Sequence, residues 1–175
     1  MKGWKTERNK KANYDLIQYT KLTLAKYSNN DVRIYVGTDS QSLKRHPVTG
    51  YITCVAYHVG TIDIDGVFYG HGVHILYKEK KVKKIKNTFH RLWKEVEMSM
   101  NVAEELRDAG LLIYKIDLDL NQDKTYQSNR CIAGATGMLT GLGYNVASKP
   151  DELFATCAAD NLIHKINWGK VKLEN

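Results

Sequence analysis

Apolar and polar residues alternate along three runs of the chain, at residues 32 to 38, 51 to 59 and about 67 to 77, each rich in β-branched or aromatic side chains. Alternation of period two predicts strands. Pro47 and Gly50 stand in the first link, and Asp63, Asp65 and Gly66 in the second, so both links read as hairpin turns and the three strands as an antiparallel meander. Ahead of them, residues 14 to 27 carry Leu16, Ile17, Leu22, Leu24 and Ala25, a mixed pattern that fits an amphipathic helix. After them the spacing changes. Phe89, Leu92, Val96, Ser99 or Met100, Ala103 and Leu106 recur at helical intervals, which predicts a long helix from about Val82 to Asp108, stopped by Gly110.

The rest of the chain is shorter in rhythm. Residues 111 to 116 form an apolar run that follows a helix, so it reads as a strand parallel to the first. Residues 126 to 142 hold the small side chains Ala133, Gly134, Ala135 and Gly137 and read as a helix, residues 143 to 147 as a short strand. Pro150 then opens a last helix, whose buried face is read as Leu153, Phe154, Cys157 and Leu162 with Asp160 inside it. The order predicts an α/β fold: a mixed five-stranded sheet, made of the three-strand antiparallel meander plus two further strands and flanked by helices. Residues 1 to 175 read as a single domain, with 1 to 30 as a basic lead-in and N-terminal helix and 31 to 165 as the core.

Acids stand at the ends of these elements. Residues 33 to 41 run Arg-Ile-Tyr-Val-Gly-Thr-Asp-Ser-Gln, a buried strand that delivers Asp39 to its carboxyl end. A carboxylate there needs a partner, because burying an unpaired charge is costly. If the strand at 111 to 118 lies parallel to this one, Asp117 and Asp119 reach the same end. Alternation puts both on one face and does not choose between them. The long helix then runs back, so its first half lies at that end too. Glu95 shares a stripe with Leu92, Ser99, Val102 and Leu106, whereas Glu97 falls with Trp93, Asn101 and Glu104, so helical phase favours Glu95 as the inward acid. Asp160 is the fourth candidate, with His164 one turn on as a general acid or substrate contact. Ser40, Gln41 and Asn121 flank the candidate acids and are read as substrate-contacting or supporting groups.

Several carboxylates at one point repel one another, and hard divalent cations neutralise them. Magnesium or manganese suits such an oxygen-rich site, and two such ions about 3.5–4 Å apart activate a water and stabilise the leaving oxygen of a phosphodiester. Charge agrees. The chain carries 26 Lys and Arg against 19 Asp and Glu, a net +7 that favours a polyanionic partner. Its lysines cluster at residues 78 to 86, read as the approach to the long helix. Cys54, Cys131 and Cys157 lack the paired spacing of a zinc site or a disulfide framework and are read as reduced and buried. His71 and His74, three apart on a strand, fall on opposite faces and do not share a metal. No apolar run approaches the ~20 residues of a membrane span, and no secretory core follows Met1, so a cytoplasmic protein is expected.

Four segments carry a family likeness: Gly37-Thr38-Asp39-Ser40-Gln41, the Glu95 to Ser99 helix segment, Asp117-Leu118-Asp119-Leu120-Asn121, and residues 149 to 155. Together they resemble the YkuK-type family of predicted nucleases within the ribonuclease H-like superfamily, over about residues 32 to 165. The resemblance implies a metal-dependent nuclease acting on RNA, DNA or a hybrid, with Asp39, Glu95 and Asp119 as metal ligands. Asp160, in an Ala-Ala-Asp setting similar to the late acid helix of RuvC-like resolvases, is expected to complete the second ion's site. The alternative is a binding module that keeps this fold without catalysis.

Overall fold

The computed structural model of the chain describes residues 2–42, 47–121 and 129–166, and of Asn121 and Arg130 the backbone alone. In chain order the elements are β1 (Lys5–Thr6), α1 (Leu16–Lys26), β2 (Asp31–Ser42), β3 (Val48–Ile62), β4 (Phe68–Lys83), α2 (Thr88–Asp108), β5 (Lys115–Asn121), α3 (Asn129–Gly141), β6 (Val146–Lys149) and α4 (Ala155–Lys165). They form one mixed sheet ordered β1-β4-β3-β2-β5-β6. The meander is antiparallel, and β5 joins β2 in parallel with β6 beyond it.

Alternation along the strands decides which helix each face receives. On one face Ile34, Val36, Val55, Tyr57 and Leu76 pack with Leu16 of α1 and with Val102 and Leu106 of α2. Ile116, Leu118 and Leu120 of β5 continue that face beneath α2 and α3. The opposite face, Tyr35, Ile52, Cys54, Ala56 and Tyr77, is covered by Ala155, Ala159, Leu162 and Ile163 of α4. α2 is seated on β2 by hydroxyls as well as apolar groups: Ser99 Oγ donates to Thr38 Oγ1 at 2.9 Å, and Thr38 Oγ1 to Thr53 Oγ1 at 3.0 Å. α3 approaches α2 through a small residue, Gly134 facing the Trp93 ring.

The structure corrects the sequence reading in four places. The sheet has six strands rather than five, because Lys5–Thr6 pairs with Tyr77 and Leu76 of β4. Two residues are too few to show a period; what draws the lead-in onto the sheet is Trp4, fully buried and bridged to Tyr14. The lysines at 78 to 83 belong to β4, where they pair with Val48 to Thr53 of β3, so the helix begins at Thr88 rather than near Val82. β5 starts at Lys115, later than the apolar run at 111 to 116 implied. In α4 the inward face is Ala155, Thr156, Ala159, Leu162 and Ile163, which leaves Cys157 and Asp160 outside; Cys54 and Cys131 are buried, and all three thiols are free. The predicted start of α3 near Tyr126 lies outside the described residues.

α4 lies close enough to β2 to demand a glycine. A Cβ on Gly37 would meet Thr156 Cγ2 at 2.7 Å and the Thr156 backbone nitrogen at 2.9 Å. Gly37→Ala is therefore expected to destabilise the fold by about 1–3 kcal/mol, at roughly 2–4 °C of Tm per kcal/mol for a chain of this size. Thermal denaturation checks it, and an unchanged Tm would show that α4 yields.

Candidate active site

β2 and β5 run in parallel with Gly37 opposite Asp117. Two residues further along each strand, on the same face, stand Asp39 and Asp119. That face is the one α4 covers, and Asp160 is on α4. The three acids feel one another: burial pushes the Asp39 carboxyl up to about 6, and the charges of Asp160 and Asp119 add to the rise, against the opposing pull of the Ser40 backbone amide and Arg91.

Glu95 arrives from the other face. It is 4% exposed, accepts a short hydrogen bond from Ser40 Oγ, and lies 3.3 Å from Arg91 Nη1. The same Arg91 nitrogen donates to the Ser40 carbonyl at 2.8 Å and to Ser40 Oγ at 2.7 Å, so it ties the first turns of α2 to the end of β2. Burial drives the Glu95 carboxyl up to about 8; the Ser40 bond and Arg91 oppose this, while Asp39 and Asp119 reinforce it across the sheet end. Glu97, by contrast, turns to solvent and pairs with Lys94 at 2.8 Å.

Asp117 and Asp119, equivalent in the strand period, have separate occupations. Asp117 is fully buried, and its Oδ2 accepts from the Ala155 amide at 2.7 Å. α4 has no side-chain cap of its own at Phe154. A strand carboxylate thus caps the helix from a distance, in the role an Ncap side chain usually fills. Burial pushes Asp117 up to about 6 against the backbone bonds from Ala155, Phe154 and Thr156. Among the described residues Asp117 Oδ1 and Thr156 Oγ1 are buried without a hydrogen-bond partner. Asp119 stands at the open rim, 2.5 Å from Lys149 Nζ.

Asp160 is more than half exposed, and its Oδ1 lies 3.3 Å from His164 Nε2. The other ring nitrogen of His164 is 3.3 Å from Gln41 Nε2, so the end of β2 reaches α4 through that imidazole. Asn121 closes β5 by its backbone; its side chain lies outside the described residues. Two cations were missed in the sequence. Arg91 had a signal, standing one turn before Glu95 on the same helical stripe. Lys149 had none, because its partner is on another strand.

A family model described as Ribonuclease H-like matches residues 15–164. The chain belongs to the ribonuclease H-like family. The matched span runs from the N-terminal boundary of α1 to the last turn of α4, so this ribonuclease H-like core contains every acid named above. No curated protein and no solved structure was found to match the chain. Family membership suggests a nuclease-type fold. Among the described residues no three His, Cys, Asp or Glu side chains stand close enough to hold one metal ion. The donor chemistry nonetheless suits a hard cation: Asp39, Glu95, Asp119 and Asp160 offer carboxylate oxygens only, and Asp39 and Glu95, raised first by burial, are raised further by neighbouring acids.

The raised carboxyls give a pH signature. An acid whose folded pKa exceeds its unfolded value contributes most stability when protonated, so the contributions of Asp39 and Glu95 are complete below about pH 4 and are lost as pH rises through about 6 and about 8. Glu95→Gln keeps an acceptor for Ser40 but carries no charge. In chelator, its Tm relative to the wild type is expected to climb between about pH 5 and 8. A flat difference across that window would show that Glu95 is not held neutral by burial.

Proposed function

We propose that this rim of carboxylates hydrolyses phosphodiester bonds in nucleic acid with magnesium or manganese, two ions being expected. The observation that supports it most is Asp39, held up at about 6 by burial and by its two like-charged neighbours. In this reading Asp39 would be shared between the ions, Glu95 and Asp119 would each hold one, and Asp160 would complete the second site. Bound there, the ions supply water activation and stabilise the leaving oxygen. The protein's own groups do the rest. Ser40 and Arg91 fix the Glu95 carboxylate from the β2 side, which keeps it aimed without solvent. Lys149 holds Asp119 until a stronger cation takes it. His164, exposed and steadied by Gln41, is placed to pass a proton to a leaving group.

One observation favours a second reading, a module that binds without cleaving: Glu95, Asp119 and Asp160 each already face a basic partner in Arg91, Lys149 and His164. Cleavage assays decide between them. With magnesium or manganese, the wild type is expected to cut at least one of single-stranded, duplex, hybrid or branched substrates. Chelator should stop the reaction, and Asp39→Asn should slow it by about 10²-fold or more. No cleavage of any substrate would leave the binding module, and equal cutting by wild type and variant would show that Asp39 does not carry the reaction.

Lys149 gives an independent check. Removing it takes one opposing charge from beside the ion, so Lys149→Gln is expected to tighten manganese binding on the order of tenfold in calorimetric titration. Affinity that stays level or falls would place Asp119 outside the metal site.

A further inference from the structure

The lysines that sequence periodicity assigned to a helix approach stand instead on the carboxyl end of β4, and their place in the sheet gives them a use. β4 runs parallel to β2 with β3 between them, so Glu79 shares a row with Asp39 through Ile52, and Lys81 shares a row with Gln41 through Gly50. From Lys80 onward the lysines are therefore beyond the Asp39 row, at the same sheet end as the acids. Residues 80–86 hold five lysines and no acid. The nearest acid, Glu79, is neutralised by Lys5 at 2.9 Å. β1 pairs only with Leu76 and Tyr77, so among the described residues the outer edge of β4 carries no strand beside the lysines.

After Lys83 the chain turns back toward β2. The Lys84 amide donates to the Pro47 carbonyl at 2.9 Å and the Ile85 amide to Thr49 Oγ1 at 3.0 Å, which hold this segment along the start of β3. It ends at the amino terminus of α2, whose first turn has no acid and whose Arg91 bonds to the Ser40 carbonyl. A helix start carries partial positive charge of its own. Lysines and the start of α2 thus line the way from the sheet edge to Ser40, the residue beside Asp39.

We infer that residues 80–86 form a track for the phosphate backbone of a nucleic acid, leading it across the sheet end to Asp39. This rests on the nucleic-acid reading above and adds where the substrate lies. β4 is two strand spacings from β2, about 10 Å, so the track meets phosphates within one or two nucleotides of the one at Asp39. Lysines reach phosphates without reading bases, so binding here is independent of sequence.

Lysines on an open edge strand also discourage edge-to-edge pairing, and the experiment separates the two roles. Fluorescence anisotropy measures binding of duplex and single-stranded oligonucleotides in chelator, between about 50 and 200 mM salt, the range in which backbone contacts dominate affinity. Three proteins are compared: wild type, the quadruple variant K80Q/K83Q/K84Q/K86Q, and the equally discharged control K10Q/K11Q/K21Q/K26Q, each shown to melt like wild type. The track variant is expected to lose about 0.9 of salt slope per engaged lysine on duplex and about 0.7 on single strands, alike for all sequences. The control is expected to keep the wild-type slope. An unchanged slope in the track variant, with or without self-association, overturns the track while leaving the nuclease reading standing. Equal losses in track variant and control also overturn it, since net charge alone then explains binding. Wild type that binds no nucleic acid removes both readings.

Discussion

The bond between Asp117 and the first amides of α4 is the constraint on which the site depends. A buried carboxylate with one oxygen unpartnered is costly, yet here it satisfies a helix amide that the N-cap residue, Phe154, does not cap with its own side chain. It sits one strand over from Gly37, whose missing side chain lets the same helix turn settle on β2. These two residues set the depth and direction of α4. Everything α4 contributes, Asp160 and His164 included, inherits its position from them. The same face then carries Asp39 and Asp119, each two residues beyond the paired Gly37 and Asp117.

The acids line a rim at the sheet end, where among the described residues no three stand close enough to hold one ion. Asp39 and Asp119 come up one face, Glu95 the other, and they interact over the end of the sheet, where neither layer of helices intervenes. Burial raises Glu95 most, against the opposing pull of Ser40 and Arg91. Asp119 and Asp160 are less enclosed and take basic partners, a lysine and a histidine. The arrangement grades the carboxylates from enclosed to open.

Much of this was legible in the sequence, for reasons that differ by element. The meander and the long helix announce themselves because their periods persist over many residues, and the turn from β5 back to the level of β2 follows from chain direction alone. The inward choice of Glu95 over Glu97 followed from helical phase, a local property. The rest was not local. A period of two leaves Asp117 and Asp119 equivalent; what divides them is a helix packed on one and a lysine beside the other, both from distant parts of the chain. β1 escaped because two residues have no period and their anchor is a single tryptophan. The β4 lysines looked like a helix approach because their pairing partners on β3, more than the residues themselves, make them a strand.

The parallel pairing of β5 with β2 joins residues eighty apart in the chain, Gly37 and Asp117, whereas the hairpins of the meander join neighbours. Closing a long loop costs more entropy than closing a short one, and it gains little until a surface is ready to receive the arriving strand. The meander supplies that surface. Contact order therefore favours the meander ahead of β5 and α4, and the mutual repulsion of the carboxylates bears on the docking of those two elements rather than on the meander.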